Sequence, residues 1–202
     1  AFYSHPSWMI KRWIERFGRE QVEALMNSNN ERANLTLRVN TLKIQPDEFQ
    51  KLLLSVNLKF IRGKFNPLFF KLQNLSNITQ WKYFYEGYFN IQDESTGLAC
   101  LLLDPKPGMR VLDMCAAPGG KTAFIADMMK DTGEIVALDR YDSRLHIVEK
   151  NFKRLALKST KIISMDALKF VDEKKFDRVL VDVPCSGTGT LAKKPDIKWK
   201  KD

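Results

Sequence analysis

The sequence predicts an α/β fold in which a parallel, doubly wound sheet follows a small α+β unit. From Met109 onward, predicted strands alternate strictly with amphipathic helices, which is the signature of consecutive βαβ units. An apolar run closing at Asp113 enters a small-residue turn, Ala116–Gly120, and helical spacing begins at Lys121. Before residue 91 the pattern differs, with short alternating strands and helices that form a sheet of their own.

At the start, Met9, Ile10, Trp13, Ile14 and Phe17 fall on one helical face, Gly18 closes that helix, and a second short helix is expected over Glu20–Met26. LTLRVN (35–40) alternates as a strand does. Pro46 and Asp47 open a helix over 47–56, and LKFIRG (58–63) and LFFKLQ (68–73) read as strands. Residues 88–108 run from a strand into a helix that begins near Glu94 and must stop before Pro105. Then follow strand 110–115, helix 120–131, strand 135–139, helix 142–156, strand 161–165 and strand 176–183. The expected domains are 1–90 and 91–202. Ala1 and the closing KKPDIKWKKD look like neither a natural start nor the end of a fold, so a fragment is expected.

A chain of 202 residues with a net charge of +9 favours an anionic partner. Residues 1–90 hold 13 Lys and Arg against 7 Asp and Glu, while residues 91–202 hold 20 against 17, so the first part is the more basic per residue. Aromatic residues are mixed with those charges, as on nucleic-acid-binding surfaces, although most are expected in the core. Three cysteines, Cys100, Cys115 and Cys185, with no C-x-x-C, predict neither a zinc site nor a disulfide framework. With no long apolar span, a soluble, reduced, cytoplasmic protein without membrane or metal is expected.

A helix start carries unpaired N–H groups and the positive end of the helix dipole, so the Gly119–Gly120 turn is expected to hold something polar or anionic. The glycines are expected to clear side chains from its path. The turn matches neither a P-loop nor G-x-G-x-x-G. Four predicted strands close on carboxylates, Asp113, Asp139, Asp166 and Asp182, which one parallel sheet would align along a single edge. Asp139 stands where such folds place an acid on ribose hydroxyls. An acidic rim disfavours a phosphate-rich dinucleotide and suits a cationic, ribose-bearing cofactor such as S-adenosylmethionine. Cys185, between Pro184 and the loop Ser186–Gly189, would hold a thiol over the same crevice. A thiolate beside a methyl donor suggests attack on C6 of a pyrimidine, which makes C5 nucleophilic, and the target base must first be unstacked.

The segments LRVNTLK (37–43), YFNIQDESTGLA (88–99), VLDMCAAPGGKT (111–122), DVPCSGTGTL (182–191) and KKPDIKW (193–199) resemble the Sun family of RNA cytosine-5 methyltransferases. The resemblance covers nearly the whole chain. It implies a truncated Rossmann-like class I methyltransferase sheet preceded by a small α+β RNA-recognition-like subdomain. It further implies S-adenosylmethionine as cofactor, RNA, specifically ribosomal RNA, as partner, and a monomer. By position, Cys115, Ala116, Ala117, Pro118, Gly119, Gly120 and Lys121 would wrap the cofactor; Asp139 would hold its ribose, Asp166 would lie by the adenine, and Asp182 would sit between cofactor and base. Lys121 and Asp182 would also act on the cytosine ring. The residues alone make Cys185 the nucleophile. The family instead implies that this Pro-Cys thiol aids release, while a cysteine in a Thr-Cys segment attacks C6. No Thr-Cys occurs in these 202 residues, so the stretch alone is expected not to turn over.

Two departures stand out: Val183 occupies a place where the family often has Pro or Ala, and these 202 residues do not include the extra helical RNA-binding domain of the ribosomal branch. Two rival readings are a non-catalytic RNA-binding module on a methyltransferase-like fold and an S-adenosylmethionine enzyme acting on protein or small molecules.

Overall fold

The computed structural model describes residues 2–73 and 77–200. The chain divides into two compact units: Ala1–Ala33 with Pro184–Asp202, and Asn34–Val183.

In the first unit, helices α1 (Ser7–Phe17) and α2 (Arg19–Asn30) meet at Gly18, whose φ of 77° is accessible to glycine at little cost. α2 runs four residues beyond the expected Met26. Apolar periodicity stops there, but Asn30 Nδ2 donates to the Tyr3 carbonyl (2.9 Å) and its Oδ1 accepts from Lys198 Nζ (2.7 Å), which anchors the polar last turn. Of the expected apolar face of α1 only Met9 is buried. Short 3-10 turns at Thr188–Thr190 and Pro195–Trp199 complete this unit.

The second unit holds both sheets. Its first part runs β1 (Leu35–Val39), α3 (Pro46–Ser55), β2 (Phe60–Arg62), β3 (Phe69–Leu72), α4 (Lys82–Tyr85) and β4 (Phe89–Ile91). The antiparallel order β2-β3-β1-β4 is that of a βαββαβ, ferredoxin-like unit with its second helix cut to one turn. α3 starts as its sequence dictates, with Pro46 in its first turn and a reciprocal cap between Gln45 and Glu48. Phe49, Phe70 and Phe89 fill the core beneath it.

The second part runs α5 (Glu94–Leu103), β5 (Arg110–Asp113), α6 (Gly120–Met128), β6 (Glu134–Asp139), α7 (Asp142–Leu155), β7 (Thr160–Ser164) and β8 (Arg178–Leu180). All pairings are parallel, in the order β7-β6-β5-β8. The chain steps outward from β5 to β7 and then returns to the far side of β5, which creates the switch point where such sheets bind ligands. α5, α6 and α7 all pack on the face presented by Val111, Ile135, Ala137 and Leu180. On the opposite face Leu112, Val136 and Leu138 pack with Ile163 of β7 and with the loop residues Met114, Phe170 and Phe176. The physical reason is the connection after β7: a 3-10 turn, Ala167–Lys169, stands where a crossover helix would cover that face.

The expected strand 176–183 is three residues long, and Asp182 lies two residues past its end. The expected strand 161–165 likewise ends at Ser164, before Asp166. Asp166 instead caps the following turn by accepting from the Leu168 N–H (3.0 Å).

The two sheets are joined by a buried ion pair. Arg38 of β1 donates to Asp127 of α6 (2.8 Å) with both side chains at most 2% exposed. Arg38 also donates to Gln92 Oε1 (2.8 Å) and lies over the Phe124 ring (4.6 Å), while Asp127 accepts from the backbone N–H and the hydroxyl of Thr41. Arg154 of α7 adds a second tie, stacked on Phe84 (3.8 Å) and donating to the carbonyls of Phe84 and Phe89.

Candidate active site

The site is built at the carboxyl ends of β5, β6 and β8. After Asp113 the chain turns through Met114–Gly119 and begins α6, whose first intrahelical bond runs from the Ala123 N–H to the Gly119 carbonyl (2.9 Å). The N–H groups of Gly120, Lys121 and Thr122 therefore precede the helical ladder and are free of intrahelical partners.

The reason for the glycines differs from the one the sequence suggests. At Gly119 φ is +98°, and a Cβ would point away from the crevice into α7, 3.1 Å from Phe152 and 3.4 Å from Val148. Gly119 is required by its backbone conformation and by helix packing. At Gly120 a Cβ would meet Asn90 and Gln92 at an ordinary 3.8 Å, so no glycine is sterically demanded there.

The turn is held by α7. Asp139, 3% exposed at the end of β6, accepts from the backbone N–H groups of Ala117 (3.3 Å) and Tyr141 (3.2 Å) and pairs with Arg144 (3.2 Å). Arg144 donates to the Ala117 carbonyl (2.9 Å), and Asn151 Nδ2 donates to the Pro118 carbonyl (3.0 Å). Sequence reasoning missed Arg144 and Asn151. The available signal was their spacing: residues 144, 148, 151 and 155 share the α7 face turned toward the loop.

Asp113 is buried, accepting from the Thr122 hydroxyl (2.7 Å) and the Cys115 N–H (3.3 Å). Burial pushes its carboxyl above the ordinary range, against the pull of those bonds and of Lys121. Lys121 Nζ contacts Asp182 Oδ2 at 2.5 Å, with Asp182 54% exposed at the mouth of the site. Asp166 lies nearest Arg140 (3.8 Å). The rim is thus not the bare acidic edge expected from the strand ends: Asp139, Asp166 and Asp182 each face a protein cation.

The three thiols separate clearly. Cys100 is fully buried, its Sγ 3.6 Å from the Lys121 carbonyl, and burial pushes its pKa up to about 12. Burial raises the Cys115 thiol above its ordinary value, and the nearby carboxylates of Asp113, Asp139 and Asp182 raise it further. Cys185 is exposed and belongs to the first compact unit. The structure therefore brings the 115–121 turn, Asp139, Lys121 and Asp182 together, places Asp166 beside Arg140, and leaves Cys185 in the other unit. Among the described residues no group of His, Cys, Asp or Glu is placed to hold a metal ion, and no helix is long and apolar enough to cross a membrane.

A 3-2-1-4 type parallel sheet with a glycine turn at its switch point, preceded by a ferredoxin-like sheet, defines the class: a Rossmann-like methyltransferase fold with an appended α+β unit. Comparison with known proteins agrees. Residues 100–202 match the family model described as 16S rRNA methyltransferase RsmB/F, and residues 5–79 match the RsmF/B-like ferredoxin-like domain. The chain belongs to the RsmB/F family. It is 36% identical over 201 residues to the probable ribosomal RNA small subunit methyltransferase B of Bacillus subtilis, covering 98% of this chain and 45% of that protein. The crystal structure of PH0851 superposes with a TM-score of 0.93 at 35% identity, over 99% of this chain and 46% of that one. A methyltransferase homolog protein from Pyrococcus horikoshii gives a TM-score of 0.81 at 30% identity, over 94% of this chain and 63% of its own. The chain spans about half the length of the curated relatives it matches.

Proposed function

We propose that this chain carries the cofactor-handling part of an S-adenosylmethionine-dependent RNA cytosine-5 methyltransferase acting on small-subunit ribosomal RNA, as a cytoplasmic monomer. The observation that carries the reading is the meeting of three features at the switch point: the open first turn of α6, the buried Asp139, and the Lys121–Asp182 pair. The cofactor, when bound, supplies an electrophilic methyl group. Cys115, Ala116, Ala117, Pro118, Gly119, Gly120 and Lys121 wrap its amino-acid end, with the N–H groups at the start of α6 available to a carboxylate. Asp139 would hold the ribose hydroxyls, and Asp166 would border the adenine. Asp182, at the exposed mouth, lies between cofactor and base.

Lys121 and Asp182 are the polar groups assigned to the cytosine ring, one donating and one accepting. Cys185 is the thiol assigned to catalysis, at the release step that the family resemblance implies. Cys185 is the exposed thiol, whereas Cys100 is buried with its thiol pushed up to about 12 and burial also raises Cys115, which favours Cys185 over both. Residues 1–90 contribute RNA binding and residues 91–202 the cofactor site. Calorimetric titration of the chain with S-adenosylmethionine tests the reading: saturable one-to-one binding, weakened in Asp139→Ala and Asp182→Ala, is expected. A chain that folds but takes up no heat with the cofactor would contradict it.

A further inference from the structure

In the first compact unit, α1 leaves most of its apolar face uncovered. Trp8 is 38% and Phe17 43% exposed, and a groove of about 680 Å³ lies between this helix and the Ser186–Ile197 segment. A groove of that size falls in the roughly 300–1,000 Å³ range of small-ligand sites. Its lining combines the rings of Trp8, Trp13 and Phe17 with the guanidinium groups of Arg12 and Arg16. Arg12 stands 6.0 Å over the Trp8 ring and Arg16 5.5 Å over that of Phe17. Among the described residues no carboxylate lines the groove and neither arginine has an ion-pair partner. The far wall is formed by Ser186 and Thr188, whose hydroxyls bond each other (3.2 Å), in the loop that also carries Cys185.

Resting on the reading that the chain acts on RNA, we propose that this groove binds an unpaired stretch of the RNA strand flanking the target base. Single-stranded nucleic acid offers what the lining complements: base faces that stack on indole and phenyl rings, and phosphates that meet arginines four residues apart on one helix turn. An acidic peptide would answer the charge but would leave the aromatic faces without planar partners. Because the wall is the Cys185 loop, an RNA strand lying here is held directly beside that thiol's loop. The groove then contributes affinity and register, leaving base choice to the crevice.

The test uses the chain with a short fluorescein-labelled single-stranded oligoribonucleotide, followed by anisotropy over a salt series, with cofactor titration in parallel. Arg12→Gln/Arg16→Gln should weaken binding about 10-fold and lower the salt slope by about 1.4, since each single-strand phosphate contact contributes about 0.7. Trp8→Ala should weaken it roughly 5- to 150-fold, with Trp8→Phe restoring most of the loss because stacking survives. Cofactor affinity should be unchanged in all three. If the unaltered chain binds the RNA and the variants bind it equally with the same slope, the groove assignment is overturned while the RNA reading stands. If the unaltered chain binds cofactor but no RNA at any salt, the RNA reading falls and the groove assignment falls with it.

Discussion

Removing the carboxylate of Asp127 leaves the Arg38 guanidinium buried beneath the small sheet with no counter-charge. In the native chain that guanidinium donates to Asp127 (2.8 Å) and Gln92 (2.8 Å), and burial already lowers its pKa despite Asp127 beside it. Asp127→Ala also strands the Thr41 N–H and hydroxyl. Breaking one side of such a pair costs about 3–5 kcal/mol, against a total stability of roughly 5–15 kcal/mol. With a urea slope of about 2 kcal/mol/M, the unfolding midpoint should fall by about 1.5–2.5 M. Arg38→Met/Asp127→Leu buries no charge, so its loss should be smaller than the sum of the two single losses, with a coupling of about 0.5–3 kcal/mol. Urea unfolding followed by circular dichroism measures five chains: the unaltered one, Asp127→Ala, Arg38→Met, Asp127→Leu and the double variant. A loss below about 1 kcal/mol in Asp127→Ala, or strict additivity in the cycle, would show that the pair does not hold the two sheets together.

Gly119→Ala forces a Cβ toward Phe152 at a φ of +98° and should cost about 1–3 kcal/mol, whereas Gly120→Ala should stay within about 1 kcal/mol and leave cofactor affinity nearly unchanged; thermal unfolding and calorimetry check both. Lys121→Met should change stability by less than about 1 kcal/mol, because its partner is half exposed, yet lower cofactor affinity roughly 10-fold or more. At pH 8 a thiol-specific chromogenic reagent should modify Cys185 first. Cys115 should follow slowly and Cys100 only on unfolding, since both are raised above the ordinary thiol pKa; equal rates for all three would contradict the burial described. Arg144→Ala should loosen the Ala116–Gly119 turn, read as weaker cofactor binding with a small change in melting temperature.

Much of this was legible in the sequence because local signals agreed with the tertiary solution. Apolar runs at 111–113 and 135–139 became central strands, and Gly119 marked the left-handed start of α6. The short β8 was overread since Val179, Val181 and Val183 alternate as in a strand but face outward, and only Arg178–Leu180 pairs with β5. The electrostatics of the rim were not legible. Carboxylates at strand ends are visible in one dimension, but the cations that answer them come from elsewhere: Arg144 from α7, Arg140 from just past β6, and Lys121 from α6, paired with Asp182 across 61 residues. The same holds for Arg38 and Asp127, which periodicity alone places in unrelated elements.

A crystal of the chain grown with S-adenosylhomocysteine tests the central claim most directly. Density for the amino-acid end against the N–H groups that open α6, with ribose hydroxyls on Asp139, is the predicted result. Ligand bound elsewhere while the 115–121 turn stays bare, or a ribose held by other groups with Asp139 still closed onto Ala117, Tyr141 and Arg144, would contradict it.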